Sequence, residues 1–152
     1  KLYGDIMAGI VGLTELQHTN GNSMLTVATT GDGNVKSEGG AATTSLRQGL
    51  CKAWINFEGD GTIATSDSFN VTSIADRGTG QYTITIASDM GNANYSVSGS
   101  GTHDAGSYIG ITAIAHDVGL ATGTCPVDSF PSDAGNPIDT ELICVTIHGD
   151  LA

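Results

Sequence analysis

Basic residues are scarce in this 152-residue chain: five Lys and Arg stand against 16 Asp and Glu, and the formal net charge is −11. A nucleic-acid binder needs a basic patch that displaces counterions from phosphates, and five scattered cations do not make one. Proline is rare as well, with three residues against 22 Gly. Collagen, which needs glycine at every third position and abundant proline, is thereby excluded. No apolar run approaches the roughly 20 residues of a membrane-spanning helix. There are three cysteines, Cys51, Cys125 and Cys144, an odd number in no metal-ligand spacing. They are expected to be reduced, with a Cys125–Cys144 bridge as the alternative. Charged residues make up only 14% and apolar ones 39%, the wrong balance for a self-repelling disordered chain. No basic-then-apolar start or Ala-x-Ala site marks a secretory leader. The start at Lys1 raises the expectation of a processed chain or the tail end of a longer one.

What is abundant is small. Gly, Ser and Thr together supply about a third of the residues, which reads as a turn-rich, all-β chain. The aromatics divide it. Seven of the eight lie between Trp54 and Phe130, and none lies between Tyr3 and Trp54. Aromatic side chains are the largest single contributors to a core, so the first fifty residues are expected to need other copies of themselves to bury their apolar groups. Within them Ile6, Ile10, Leu13 and Leu16 fall near helical spacing, which predicts a helix over Asp5–Gln17, although Gly9 and Gly12 each oppose it by about 1 kcal/mol. Met24 to Thr29 is a β-propensity run between two turn signals. Ser37–Ala42, with Gly39-Gly40, reads as a hinge. The expected organisation is a stalk over 1–48 and a β-rich head over 49–152.

From Leu50 the pattern alternates with strand periodicity. Ala53, Ile55 and Phe57 share one face. Ser68–Ile74 is a second strand, with Phe69 and Val71 on one side. Asp76-Arg77-Gly78-Thr79-Gly80 reads as a hairpin loop leading into Gln81–Ala87, with Tyr82, Ile84 and Ile86 inward. Tyr95–Gly99, Ser107–Ala115 and Glu141–His148 follow, the last with Ile143, Val145 and Ile147 inward. Val118–Thr140 holds all three prolines and reads as a long irregular, functional loop. Six or so short antiparallel strands imply a β-sandwich or compact barrel, carried on an extended, partly helical stalk.

Motifs for chemistry are sparse. The Gly-x-Gly pairs at Gly31/Gly33, Gly59/Gly61, Gly78/Gly80 and Gly99/Gly101 precede no helix able to hold a phosphate and read as turns. No Gly-x-Ser-x-Gly elbow or His-Glu-x-x-His helix exists. Asp32, Asp60, Asp76, Asp89 and Asp133 sit in turns, where Asp bonds its own backbone, so a glycosidase-like carboxylate pair has no specific support. His103-Asp104 and His116-Asp117 flank one predicted strand. Such a His/Asp cluster is chemically able to bind a divalent metal, but no ligand spacing is met, and solvated loop histidines are the simpler reading. Asp32-Gly33-Asn34 and Asp60-Gly61 lack a twelve-residue calcium loop. Asn70-Val71-Thr72 and Asn94-Tyr95-Ser96 fit the glycosylation sequon by chance. The expectation is a non-enzymatic protein with no cofactor and no bound metal.

Gly49-Leu50-Cys51-Lys52-Ala53-Trp54-Ile55-Asn56-Phe57, followed by Gly59-Asp60-Gly61-Thr62, resembles a "KAWINF-x-G-x-GT" strand that opens the C-terminal domain of bacteriophage tail-fibre and related virion appendage proteins. Asp67–Val71, Asp76–Tyr82, Asn92–Val97 and the chain end Val145–Ala152 are similar to the same family, as are Thr19–Val27 and Gly33-Asn34-Val35 to its fibre elements. The resemblance covers about residues 19–115 and 141–152. It implies a homotrimeric virion appendage in which three copies bury Met24, Leu25 and Val27 against each other. The implied partners are other tail or fibre proteins and a host surface glycan or protein, with no nucleic acid and no membrane insertion. No binding residue carries over from the family. The contact surfaces are expected on loops carried by a rigid sheet, with His103, Asp104, Tyr108, His116, Asp117, Asp128 and Phe130 as receptor-contact candidates. The competing readings are a capsid decoration or filament subunit with no receptor, and a glycan-cleaving tip enzyme.

Overall fold

The computed structural model describes residues 6–7, 10–11, 15–17, 23–27, 33–36, 42–103, 108–132 and 135–152, with 6–7, 10–11, 15–17, 23–24, 103 and 108–111 described by their backbone alone. The protein is all-β and antiparallel, with a single short helix among the described residues. The chain divides into two units, Lys1–Leu50 and Cys51–Ala152.

In the first unit β1 (Ile6–Met7) and β2 (Ile10–Val11) form a two-stranded hairpin, with Ile6 opposite Val11 and Met7 opposite Ile10. β3 (Glu15–Gln17), β4 (Ser23–Val27), β5 (Gly33–Lys36) and β6 (Thr43–Ser45) make a four-stranded meander in chain order, followed by α1 (Leu46–Gly49). The helix predicted over Asp5–Gln17 is therefore replaced by three strands. Glycines spaced through that stretch tax a helix about 1 kcal/mol each and suit tight turns. The hinge predicted over Ser37–Ala42 lies outside the described residues except for Ala42. Leu25 pairs with Val35, and Val27 with Gly33, so these residues share one face. Leu46 approaches the same face, since a Cβ on Gly33 would meet both its side chain and that of Leu25. Val27, Val35 and Leu46 remain 37–40% exposed, and no described residue of this unit is buried.

The second unit is one eight-stranded sheet. Its strands are β7 (Ala53–Glu58), β8 (Ala64–Phe69), β9 (Val71–Gly78), β10 (Gln81–Ile86), β11 (Ser96–His103), β12 (Tyr108–Ile114), β13 (Thr124–Pro131) and β14 (Leu142–His148), in the order β8-β7-β14-β11-β12-β13-β10-β9. β7 and β10 are five ladder steps apart, which in a flat sheet at about 4.8 Å per step would separate them by about 24 Å. Yet the Phe57 and Tyr82 rings meet edge to face, with centroids 5.1 Å apart. The sheet is rolled so that its inner face packs on itself. That core holds Ala53, Ile55 and Phe57 from β7, Tyr82, Ile84 and Ile86 from β10, Cys125 and Val127 from β13, and Ile143, Val145 and Ile147 from β14. The inward positions read from alternation on β7, β10 and β14 are the ones observed.

Several expectations are corrected. Val118–Thr140 is not one irregular loop: β13 runs through it between β12 and β10, and both of its faces are covered from Cys125 to Ser129. Its prolines argued against a central strand because each removes a backbone donor. The Asp76–Gly80 loop shrinks to the two-residue turn Thr79-Gly80, with Arg77 on β9. Gly80 takes the positive φ of 66° that this turn requires. The strand read over Ser68–Ile74 breaks at Asn70, and Phe69 is 55% exposed. The three cysteines are free, with Cys125 inside the core. Cys144 sits between the inward Ile143 and Val145 on β14 and so faces the other way, which excludes the Cys125–Cys144 bridge. Burial pushes the Cys125 thiol up to about 12.

Two polar arrangements hold the roll in place. The Tyr82 hydroxyl donates to the Gly59 carbonyl at 2.7 Å and lies 3.3 Å from Asp139 Oδ1, which accepts the Gly80 N–H at 2.6 Å. Gly59 N–H donates to the Thr140 carbonyl, and the buried Ser129 and Thr140 hydroxyls bond each other. A Cβ on Gly59 would stand 2.5 Å from the Tyr82 oxygen, so only glycine fits. Burial, followed by the Asp139 charge, pushes the Tyr82 phenol well above its ordinary range.

The second arrangement is Asn70, the single residue that carries the chain from edge strand β8 to edge strand β9. Its φ is 55°, a left-handed conformation that Asn tolerates better than most residues. Its amide donates to the carbonyls of Lys52 (2.9 Å) and Ser88 (3.3 Å), and its Oδ1 accepts the Ser88 N–H at 2.8 Å. The Asn70-Val71-Thr72 sequon is thus committed to internal bonds. Replacing Asn70 with Ala removes these bonds and places a strained residue at positive φ, for an expected loss of about 2–4 kcal/mol. Asn70→Gly recovers only the backbone part and should fall between. Chemical denaturation measures both, and an Asn70→Ala midpoint equal to wild type would contradict this role.

Candidate functional site

Asp128 is the anomaly of the sheet. It lies on the outer face of β13, opposite Gln81 of β10 and Ala113 of β12, yet its side chain is 0% exposed. A carboxylate removed from water persists only when paired and hydrogen-bonded. The pairing comes from both sides. Arg77 Nη2 donates to Asp128 Oδ1 at 2.9 Å from β9. His116, on the segment after β12, puts Nδ1 3.3 Å from Asp128 Oδ2. Arg77 Nη1 also reaches both oxygens of Asp117, at 3.2 and 3.3 Å. The Ala115 N–H bonds the Pro126 carbonyl and fixes the start of the 115–120 segment against β13.

The four side chains differ sharply in exposure. Asp128 is sealed, Arg77 is 18% exposed, Asp117 44% and His116 76%. Desolvation pushes the Asp117 carboxyl up, but the Arg77 hydrogen bond, then a bond from its own backbone, with smaller help from the Arg77 charge and from His116, outweigh it. The carboxyl therefore titrates below its ordinary value. Asp117 and Asp128 are thus bridged by one guanidinium. His116, Asp117 and Asp128 each bring a donor atom within 4.8 Å of the others, the one such metal-capable group among the described residues.

The remaining candidates fall elsewhere. His103 and Tyr108 are not loop residues: they are register partners at the end of the β11–β12 ladder, flanking the 104–107 connection. Asp104 lies outside the described residues. Phe130 is half-buried on β13 opposite Ile111. Asp128, expected at a receptor contact, is corrected to a buried anchor beneath His116 and Asp117. Arg77 was assigned to a loop and missed. The signal for it was the two-residue turn, which puts Arg77 on β9, two strands from Asp128 across β10.

Comparison with known protein families, curated proteins and solved structures found no match. The cluster therefore has to be read on its own geometry.

Arg77→Ala strands a buried carboxylate and is expected to cost about 3–5 kcal/mol, whereas the paired replacement Arg77→Met with Asp128→Leu should recover most of it. The depressed Asp117 value gives a pH signature. Its stabilising contribution is present above the ordinary carboxylate range and is lost as pH falls through the lowered folded value. Asp117→Asn should lower stability at neutral pH, where that contribution is present, change little at low pH, and so flatten that part of the acid limb in a stability–pH profile. An unchanged acid limb would contradict the Arg77 pairing.

Proposed function

We propose that this protein is a homotrimeric, non-enzymatic virion appendage, the tip of a bacteriophage tail fibre that attaches to the host surface. The observation that carries the reading is the face formed by Leu25, Val27, Val35 and Leu46. It is apolar and half exposed, in a unit with no buried residue among those described. A sheet that cannot cover its own apolar face is stabilised by further copies of itself, and closed symmetry also removes exposed strand edges. The side chain of Met24, the other expected contact, lies outside the described residues. The "KAWINF" strand supports the same family on different grounds, by its resemblance in sequence; its Ala53, Ile55 and Phe57 lie in the core of the rolled sheet.

In this reading the head is a rigid sheet that displays short segments, and 115–120 presents His116 and Asp117 to the receptor. Attachment is weak per tip and multiplied by the number of fibres on a particle. With −11 per chain, the copies are held by apolar and backbone contacts and not by charge.

Light scattering on the purified chain should give about three times the 15.4 kDa chain mass. Val35→Asp places three carboxylates on the shared face and should shift the protein towards monomer, while the thermal transition of the head is retained. A wild-type monomer would overturn the trimer. Electron microscopy of labelled particles tests the appendage: label on tail fibres supports it, and label along capsid faces or a filament replaces it with a structural subunit that has no receptor.

A further inference from the structure

The His116–Asp117–Asp128 group carries more than a salt bridge. We propose that it binds a divalent transition-metal ion of the Zn2+ class through His116 Nδ1, Asp128 Oδ2 and one Asp117 oxygen, with Arg77 as the cation that orients Asp128 from behind. The first support is distance. Metal–ligand bonds of about 2.1 Å set neighbouring donors about 3.0 Å apart in an octahedron and about 3.4 Å apart in a tetrahedron. His116 Nδ1 and Asp128 Oδ2 are 3.3 Å apart, long for an N–H···O bond, whose usual length is about 2.9 Å. The third donor, from the exposed Asp117, lies within 4.8 Å of the other two and would move inward to share the ion.

The division of labour on Asp128 is a separate observation. Arg77 Nη2 takes Oδ1 at 2.9 Å, and Oδ2 is turned toward His116. Carboxylate ligands in metal centres are commonly held this way, one oxygen on the ion and the other on a hydrogen-bond donor behind it. Asp128 is fully buried, so its orientation is fixed before any ion arrives, while His116 and Asp117 form an open side. Charge points the same way: two carboxylates face one guanidinium, which leaves a net negative charge when the imidazole is neutral. An imidazole nitrogen with two carboxylates suits Zn2+, Co2+, Ni2+ or Mn2+, whereas Ca2+ takes six to eight oxygens. The ion would use Asp117 in place of its Arg77 contact and leave the Arg77–Asp128 bond intact. This proposal does not depend on the virion reading.

The test is titration of Zn2+ into the untagged, chelator-treated full chain by calorimetry, with Co2+ absorption as a second readout of coordination. One ion per chain is expected. His116→Ala removes one partner of Asp128 and should lower metal-free stability modestly, with the fold kept by the Arg77 pairing; it should weaken Zn2+ binding on the order of 100-fold, with loss of the Co2+ band. Asp117→Asn should weaken it less, and His148→Ala not at all. No uptake by the wild type at micromolar Zn2+ would overturn the site and leave an ionic clasp only. Uptake undiminished in His116→Ala would overturn it equally, by placing the ion elsewhere.

Discussion

The head depends on one geometric constraint: the two edges of its sheet are joined by a single residue. β8 and β9 stand at opposite ends of an eight-strand order, yet only Asn70 separates them in the chain. A flat sheet of that width would hold its edges roughly 30 Å or more apart at about 4.8 Å per strand, so the connection is possible only if the sheet rolls. Rolling turns one face inward along its whole width and gives a unit of about a hundred residues a core without a second sheet or a covering helix. It also brings the vulnerable edges together at the corner, where Asn70 bonds backbone groups on Lys52 and Ser88.

The rest of the interior answers the polar consequences of that roll. Where the inner face closes, at Tyr82, backbone is brought into a dry space and its groups need partners. Gly59, Gly80, Asp139 and Thr140 supply them through the Tyr82 hydroxyl and the Asp139 carboxylate. This accounts for the irregular backbone over residues 135–140: they are spent satisfying strand ends, with Ile138 N–H bonding the Ser129 carbonyl and Thr140 carbonyl bonding Gly59 N–H.

Legibility in the sequence followed the chemistry of each strand. β7, β10 and β14 bury one face and show the other to water, so Ala53/Ile55/Phe57, Tyr82/Ile84/Ile86 and Ile143/Val145/Ile147 stand out by alternation alone. β13 could not be read this way. It is covered on both faces, so alternation vanishes, and what covers the outer face is polar: Asp128 beneath Arg77 and His116. With Pro126 and Pro131 inside it, the strand has the composition of a loop. Arg77 was lost for a related reason, because a glycine-bearing stretch reads equally well as a five-residue loop or a two-residue turn, and only the turn puts its side chain on the sheet. The candidate site was thus half visible. His116, Asp117 and Asp128 were singled out as surface contacts, whereas Arg77 and the pairing that buries Asp128 were hidden because those contacts are long-range.

That hidden half also bears on why the cluster exists. A buried ion pair is weak evidence for stability, since well-packed apolar residues of similar volume generally serve as well or better. Asp128 and Arg77 occupy a position where two aliphatic side chains would seal the outer face of β13 without any desolvated charge. Stability alone therefore does not explain a carboxylate held rigidly under an exposed imidazole and a second carboxylate. A requirement at the surface does, because a ligand-binding group gains most when the anchoring donor is fixed before binding and only the outer donors adjust. Asp128 is fixed, His116 and Asp117 are open, and Arg77 is the cost of keeping a charge ready inside the fold.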